Sequence, residues 1–172
     1  SNSKIAVTNS EDKNIVSGQA IARSEMGITK GTFWSPKGNF LGFYQKDESN
    51  VTDYPLVDIT TTPASLNNIK YPMNGMASEI AKVGVFSIKS QSLIYLDIDT
   101  SDEHYLTNLS WSPDEKFIFL AEVNRDQNHM WFNMYDANTG RKIKTLFEEK
   151  SIKFSSLKSC KVLINVSFAI PT

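Results

Sequence analysis

Ser110-Trp111-Ser112-Pro113-Asp114-Glu115-Lys116-Phe117-Ile118-Phe119-Leu120 decides the fold, because Phe33-Trp34-Ser35-Pro36-Lys37-Gly38-Asn39-Phe40-Leu41-Gly42-Phe43 runs in the same pattern 77 positions earlier. In each copy a strand ends in Trp-Ser, proline stops the hydrogen-bonded ladder and presets a turn, a Gly or acidic residue completes it, and an apolar strand follows. Each copy therefore reads as a β-hairpin. One hairpin repeated at a fixed spacing points to stacked supersecondary units before any other architecture.

Outward from the second copy, the pattern predicts strands at about 106–111, 116–124, 129–136 and 142–147, linked through Arg125-Asp126-Gln127-Asn128 and Asp136-Ala137-Asn138-Thr139-Gly140. Four antiparallel strands in so short a stretch match one propeller blade, which takes roughly 40–50 residues. Phe117 to Ala121 is apolar without alternation, as an inner strand covered on both faces should be. Lys142-Ile143-Lys144-Thr145-Leu146-Phe147 alternates more and carries lysines, which suits an outermost strand that must discourage edge pairing.

The first copy predicts strands at 31–35, 40–46, 83–88 and 93–96, with an insertion at 47–79 between the second and third. A structureless link of that length is improbable in a compact body, so the insertion is expected to carry a strand or to pack over the blade rim. The fold class is thus all-β: a partial β-propeller of about two four-stranded antiparallel blades plus flanking strands. Residues 1–30 read as the end of a preceding blade, 31–98 as the first blade, 99–149 as the second and 150–172 as a divergent tail. Within that tail Val162–Phe168 is an isolated candidate strand. Trp34 and Trp111 are expected to occupy equivalent packed sites in successive blades.

Composition sets the outer limits. The chain has 172 residues, 40% of them hydrophobic and 22% charged, so a folded body is the default. Lys+Arg is 18 against Asp+Glu 19, giving a net charge of −1, and no global field recruits nucleic acid or an anionic membrane. The longest apolar run, Phe117–Ala121, is far short of the roughly 20 residues that span a bilayer, and Ile5-Ala6-Val7 is too short for a secretory core. A single cysteine, Cys160, excludes an internal disulfide and a multi-cysteine metal site.

Several motifs together carry a resemblance: Ser17-Gly18-Gln19, Arg23-Ser24-Glu25-Met26-Gly27-Ile28, Gly31 through Gly38, Asp47-Glu48-Ser49-Asn50-Val51-Thr52-Asp53-Tyr54-Pro55, Tyr71-Pro72-Met73 and Asn124-Arg125-Asp126-Gln127-Asn128. In this order they resemble the N-terminal propeller domain of bacterial, Bacteroides-like dipeptidyl peptidase IV-type serine peptidases of the prolyl oligopeptidase family. The likeness is read over about residues 4–149. Beyond Glu149 the tail holds lysines and serines but no acidic residue, and the expectation there is an altered or truncated end.

The resemblance implies a larger, usually dimeric exopeptidase in which a propeller caps an α/β-hydrolase domain, gates substrate and anchors the peptide N-terminus, for release of Xaa-Pro or Xaa-Ala dipeptides. It also implies a periplasmic or cell-surface setting. Acidic residues on a short helical excursion before a Trp-Ser-Pro hairpin would hold the substrate's ammonium group, and Glu25 is the position that matches. An α-amino group with a pKa of about 7.7–8.0 is largely protonated at neutral pH and suits a carboxylate partner. Ser24 precedes Glu25, so a tandem Glu pair is absent. Set beside this is the plainer reading, a solvated charge next to Arg23.

The chain contains no Gly-x-Ser-x-Gly nucleophile elbow. His104 and His129 each fall in or beside a blade strand, where a surface or packing role is expected rather than general-base work. This chain is therefore expected to be noncatalytic, with no cofactor and no metal. Asp97, Asp99, Asp102 and Glu103 lack the Gly-centred spacing of a calcium loop and read as a solvated inter-blade turn. Three Asn-x-Ser/Thr sequences, at Asn50, Asn108 and Asn165, are expected by chance. The partners to expect are a peptide N-terminus, the hydrolase domain of the parent enzyme and further copies of the chain, since two blades cannot close a ring. The alternative function is an independent propeller-like protein-interaction module.

Overall fold

The structure is a computed structural model, and it describes residues 4–9 and 11–151. Its strands are β1 (Ile15–Ser17), β2 (Thr32–Trp34), β3 (Phe40–Asp47), β4 (Asp53–Asp58), β5 (Ser65–Lys70), β6 (Ile80–Ser87), β7 (Ser92–Tyr95), β8 (His104–Trp111), β9 (Phe117–Asn124), β10 (His129–Asp136) and β11 (Lys142–Lys150). All pairings between them are antiparallel. The first blade runs from β1 and β2 through β3 and β6 to β7, and the second runs in the order β8-β9-β10-β11. Among the described residues the sheets do not close into a ring, and they form a partial propeller of two blades. The predicted strand Val162–Phe168 lies outside the described residues.

The innermost strand of the first blade is made of two pieces. β1 pairs Ile15 with Asp47 and Ser17 with Gln45, and β2 pairs Thr32 with Phe43, so both lie along the same edge of β3. Between them Gly18 N–H donates to the Tyr44 carbonyl (2.8 Å), and Tyr44 N–H donates to the Gly31 carbonyl (2.9 Å). The chain thus leaves the ladder after Gly18 and rejoins it at Gly31. A Cβ on Gly31 would overlap the backbone of Gln19 and Gly18, and Gly18 has φ +76°, so glycine is required where the departing and returning strands touch. This corrects the expectation that residues 1–30 end a preceding blade: β1 belongs to the first one.

The second blade's inner strand also breaks, one position away, opposite Leu120, which matches Phe43 of the first. β8 pairs Thr107 with Ala121 and Ser110 with Phe119, leaving Asn108 (φ 55°) and Leu109 as a bulge. The insertion of the first blade folds as the β4–β5 hairpin, with Asp53 opposite Lys70 and Asp58 opposite Ser65. Val57, Ile59 and Leu66 are 63%, 83% and 72% exposed on it.

The two blades share a core containing Tyr44, Val83, Val85, Leu96, Leu106, Ile118, Leu120 and Tyr135, all buried. Each such aliphatic side chain taken from water contributes about 1.5–3 kcal/mol. A polar network lies beside it: Asn133 Nδ2 donates to Glu122 Oε1 (2.6 Å), the Tyr135 hydroxyl donates to the same oxygen, and Thr145 donates to Asn133 Oδ1 (2.7 Å). Burial, and then the Glu122 carboxylate, push the Tyr135 hydroxyl above its usual range.

The Trp-Ser-Pro turns meet across the blade interface. Trp111 Nε1 donates to the Phe33 carbonyl (3.2 Å), and its ring stacks on Phe40 at 5.9 Å between centroids. The Glu115 carboxylate accepts from Lys37 N–H and from Asn39 Nδ2, both at 2.6 Å. Burial works to raise the Glu115 carboxyl, but hydrogen bonds from Ser35, Asn39 and Lys37 outweigh it and hold the group below the usual carboxylate range. Trp34, by contrast, is 59% exposed. The expectation that the two indoles share equivalent packed surroundings is corrected: Trp111 has a blade to pack against, whereas nothing among the described residues covers Trp34.

Candidate functional site

At the end of the blades opposite the Trp-Ser-Pro turns lies a cleft of about 560 Å³, bounded by three loops and the start of β8. One wall is the peptide between Gly18 and Gly31. Its central segment, Ala22–Gly27, is a short 3-10 excursion with left-handed backbone at Ala22 (φ 49°), Arg23 (52°), Ser24 (64°) and Met26 (53°), so it is built of tight turns. L-residues in that region cost roughly 1–2 kcal/mol each and persist only where surrounding contacts determine them.

Those contacts come from both blades. Ala22 N–H donates to Glu79 Oε1 (2.7 Å), at the end of the β5–β6 connection, and Thr107 beside the β8 bulge donates its hydroxyl to the Met26 carbonyl (3.1 Å). Thr107 is 1% exposed. The Arg23 guanidinium lies over the Tyr71 ring, 4.2 Å from its centroid, and Ile21 and Ile28 anchor the two flanks in the core.

Opposite, Arg125 in the β9–β10 turn forms an ion pair with Glu103 and donates to Ser78 Oγ (2.7 Å) and to the Met76 carbonyl (3.3 Å). Glu103 also accepts from Ser78 N–H (2.7 Å). Lys46 pairs with Glu48 at 2.7 Å and with Glu79 at 3.6 Å. Of the four glutamates lining the cleft, Glu48, Glu79 and Glu103 are thereby engaged. Glu25 is exposed, and its carboxylate has no hydrogen bond or ion pair among the described residues. The cleft offers one unengaged anion to a cationic visitor.

Sequence reasoning selects Glu25, and the structure sets it in this wall. Glu79 and Thr107 are missed because their partners are remote in sequence, and Lys46 because its neighbour Glu48 marks no motif. Arg125 lies within a motif that carries the resemblance, yet its role is visible only in the structure. Of the acidic residues 97–103, only Glu103 reaches the cleft; Asp99 caps the Ser101 amide (2.9 Å). His104 lines the cleft, and its Nδ1 is buried without a hydrogen-bond partner among the described residues. His129 stands apart, with Nε2 2.6 Å from Glu148 and its ring 3.8 Å from Trp131.

Fold and site together define a propeller segment with a cleft of mixed charge at one end of its blades, four glutamates standing among two lysines and two arginines. The family model for the dipeptidyl peptidase IV N-terminal region matches residues 1–169, and the chain belongs to that family. The match continues past Glu149, so the compositional change in the tail does not mark the end of the likeness. The chain is 52% identical to a crystal structure from Bacteroides ovatus described as a dipeptidyl aminopeptidase IV, with a TM-score of 0.84 over 88% of this chain and 21% of that one. A second structure, Porphyromonas gingivalis dipeptidyl peptidase 4, shares the fold at 18% identity and a TM-score of 0.78, over 89% of this chain and 22% of that one. A curated relative from Phaeosphaeria nodorum, described as a dipeptidyl-aminopeptidase B, is 26% identical over 71% of this chain and 15% of its own length. The chain thus spans about a fifth or less of the proteins it matches.

Proposed function

We propose that this chain is a noncatalytic propeller segment of a dipeptidyl peptidase IV-type serine exopeptidase, and that Glu25 anchors the free ammonium group of a peptide N-terminus. The observation that carries the reading is the state of the cleft carboxylates: Glu48, Glu79 and Glu103 have partners, and Glu25 does not. A desolvated ammonium–carboxylate pair is a strong, charge-assisted contact. Anchoring the first residue fixes the distance to the bond after the second, which converts binding energy into positioning. The nucleophile and its base would then come from an α/β-hydrolase domain, and the products would be Xaa-Pro or Xaa-Ala dipeptides.

Titration of the chain with Ala-Pro and with N-acetyl-Ala-Pro tests the anchor. Binding should weaken by tenfold or more on acetylation, and the same loss should follow Glu25→Ala. Binding unaltered by either change rejects Glu25.

A second reading, an interaction module that pairs with itself, is favoured by the exposed Trp34 and by the bare apolar side chains of the β4–β5 hairpin. Light scattering coupled to size exclusion distinguishes the two. A monomer that binds no apolar dye counts against self-association.

A further inference from the structure

Building on the reading of Glu25 as the ammonium anchor, we propose that Glu79 is a positioning residue, which pins the Glu25-bearing turns through the Ala22 amide and does not itself contact the ligand. The segment from Ala22 to Met26 holds four left-handed residues, a conformation that its own hydrogen bonds do not secure: Ser24 N–H to the Ile21 carbonyl and Ile28 N–H to the Glu25 carbonyl only close its two turns. What ties it to the body of the blade at its start is the 2.7 Å bond from Ala22 N–H to Glu79 Oε1.

Glu79 is suited to this. It immediately precedes β6, whose first residue, Ile80, pairs with Asp47, so its backbone is fixed by the sheet. Its other oxygen faces Lys46 at 3.6 Å, and its side chain is only 17% exposed. The carboxylate is therefore oriented, with one oxygen committed to the Ala22 amide and the other facing a lysine that it shares with Glu48. Only Arg23 and Ser24 lie between Ala22 and Glu25. A shift at the first turn is carried to the second, and misplacement of a charged group by about 1 Å is enough to weaken its action greatly.

The test separates positioning from direct contact, because glutamine keeps an acceptor oxygen for the Ala22 amide while losing the charge. Affinities for Ala-Pro and N-acetyl-Ala-Pro are measured on the full chain unaltered and as Glu79→Gln, Glu79→Ala and Glu25→Gln, with amide hydrogen exchange of Ala22–Gly27 followed by NMR. The unaltered chain and Glu79→Gln should both prefer the free amine by tenfold or more. Glu79→Ala should lose that preference, as Glu25→Gln does, and its Ala22 amide should exchange at least tenfold faster. Loss of preference in Glu79→Gln as complete as in Glu79→Ala overturns positioning in favour of direct contact. Unchanged exchange in Glu79→Ala overturns the pinning whatever the peptides do. Absence of any preference in the unaltered chain, with exchange still accelerated in Glu79→Ala, removes the Glu25 reading while the pin itself stands. If Glu79→Ala does not fold, Thr107→Val, which cuts the second tie at Met26, replaces it in the comparison with Glu79→Gln.

Discussion

In the first blade Ser35 N–H donates to the Phe40 carbonyl at 3.0 Å while Phe40 N–H donates to Ser35 Oγ at 2.9 Å; in the second, Ser112 and Phe117 repeat both bonds at 2.9 Å. The turns are thus alike in backbone. Their tryptophans are not: Trp111 is hydrogen-bonded to the neighbouring blade and stacked on Phe40, whereas Trp34 is 59% exposed. The same residue in the same turn follows a local rule for its backbone and a neighbour's rule for its side chain. Local sequence governs the hairpin; blade order governs what the indole contributes.

That contrast can be tested by substitution. Trp111→Ala should destabilise the chain by about 3 kcal/mol, from lost burial and the cavity left beside Phe40. Trp34→Ala should stay within about 0.5 kcal/mol, as surface changes usually do. Urea unfolding of the two variants reads the difference, and equal losses would break the comparison.

A smaller effect is expected at Glu115, which clamps the first turn from the second. Glu115→Ala should cost about 1–3 kcal/mol, because Lys37 N–H and Asn39 lose their acceptor. The Glu115 carboxyl is held below its ordinary range when folded, so its stabilisation is fully present above pH of about 4.3 and is lost as pH falls through the lower folded value. Stability measured between pH 6 and pH 3 should therefore fall less steeply in Glu115→Gln than in the unaltered chain. Gly38, at the matching position of the first blade, has nothing within 4 Å of where a Cβ would stand, and at φ +74° Gly38→Ala should cost about 1 kcal/mol from strain alone.

The inner strands supply a second contrast between the blades, a two-residue bulge at Asn108-Leu109 against the long excursion from Gln19 to Lys30. Gly31→Ala should lower stability by about 1–3 kcal/mol, since the new methyl overlaps Gln19 and Gly18, and should shift the NMR signals of the cleft wall. Least of all should Glu25→Gln disturb the fold. A change within about 0.5 kcal/mol is expected there, and a larger one would make Glu25 structural.

Both Trp-Ser-Pro hairpins were legible because proline and the turn residues punctuate the chain where strands reverse. β3, β9 and β10 fall within a residue or so of their expected limits, since apolar runs and turn chemistry agree there. β1 was not legible as part of the first blade: three residues, Ile15-Val16-Ser17, carry too little pattern, and their continuation resumes only at Thr32. The excursion's turns were not legible either, for left-handed angles at Arg23 and Ser24 are imposed from outside. Of the site, only Glu25 came from sequence, through its family resemblance. Glu79 lies 57 positions from Ala22 and Thr107 81 from Met26, separations that no local pattern reports.

The paired glycines at 18 and 31 have one further consequence. Because Tyr44 of β3 accepts from Gly18 and donates to Gly31, backbone alone sets the register on both sides of the excursion, and its exposed residues between Ile21 and Ile28 can change chemistry without altering the sheet. The excursion is in effect a cassette spliced into a strand, held at both ends by one residue of the scaffold.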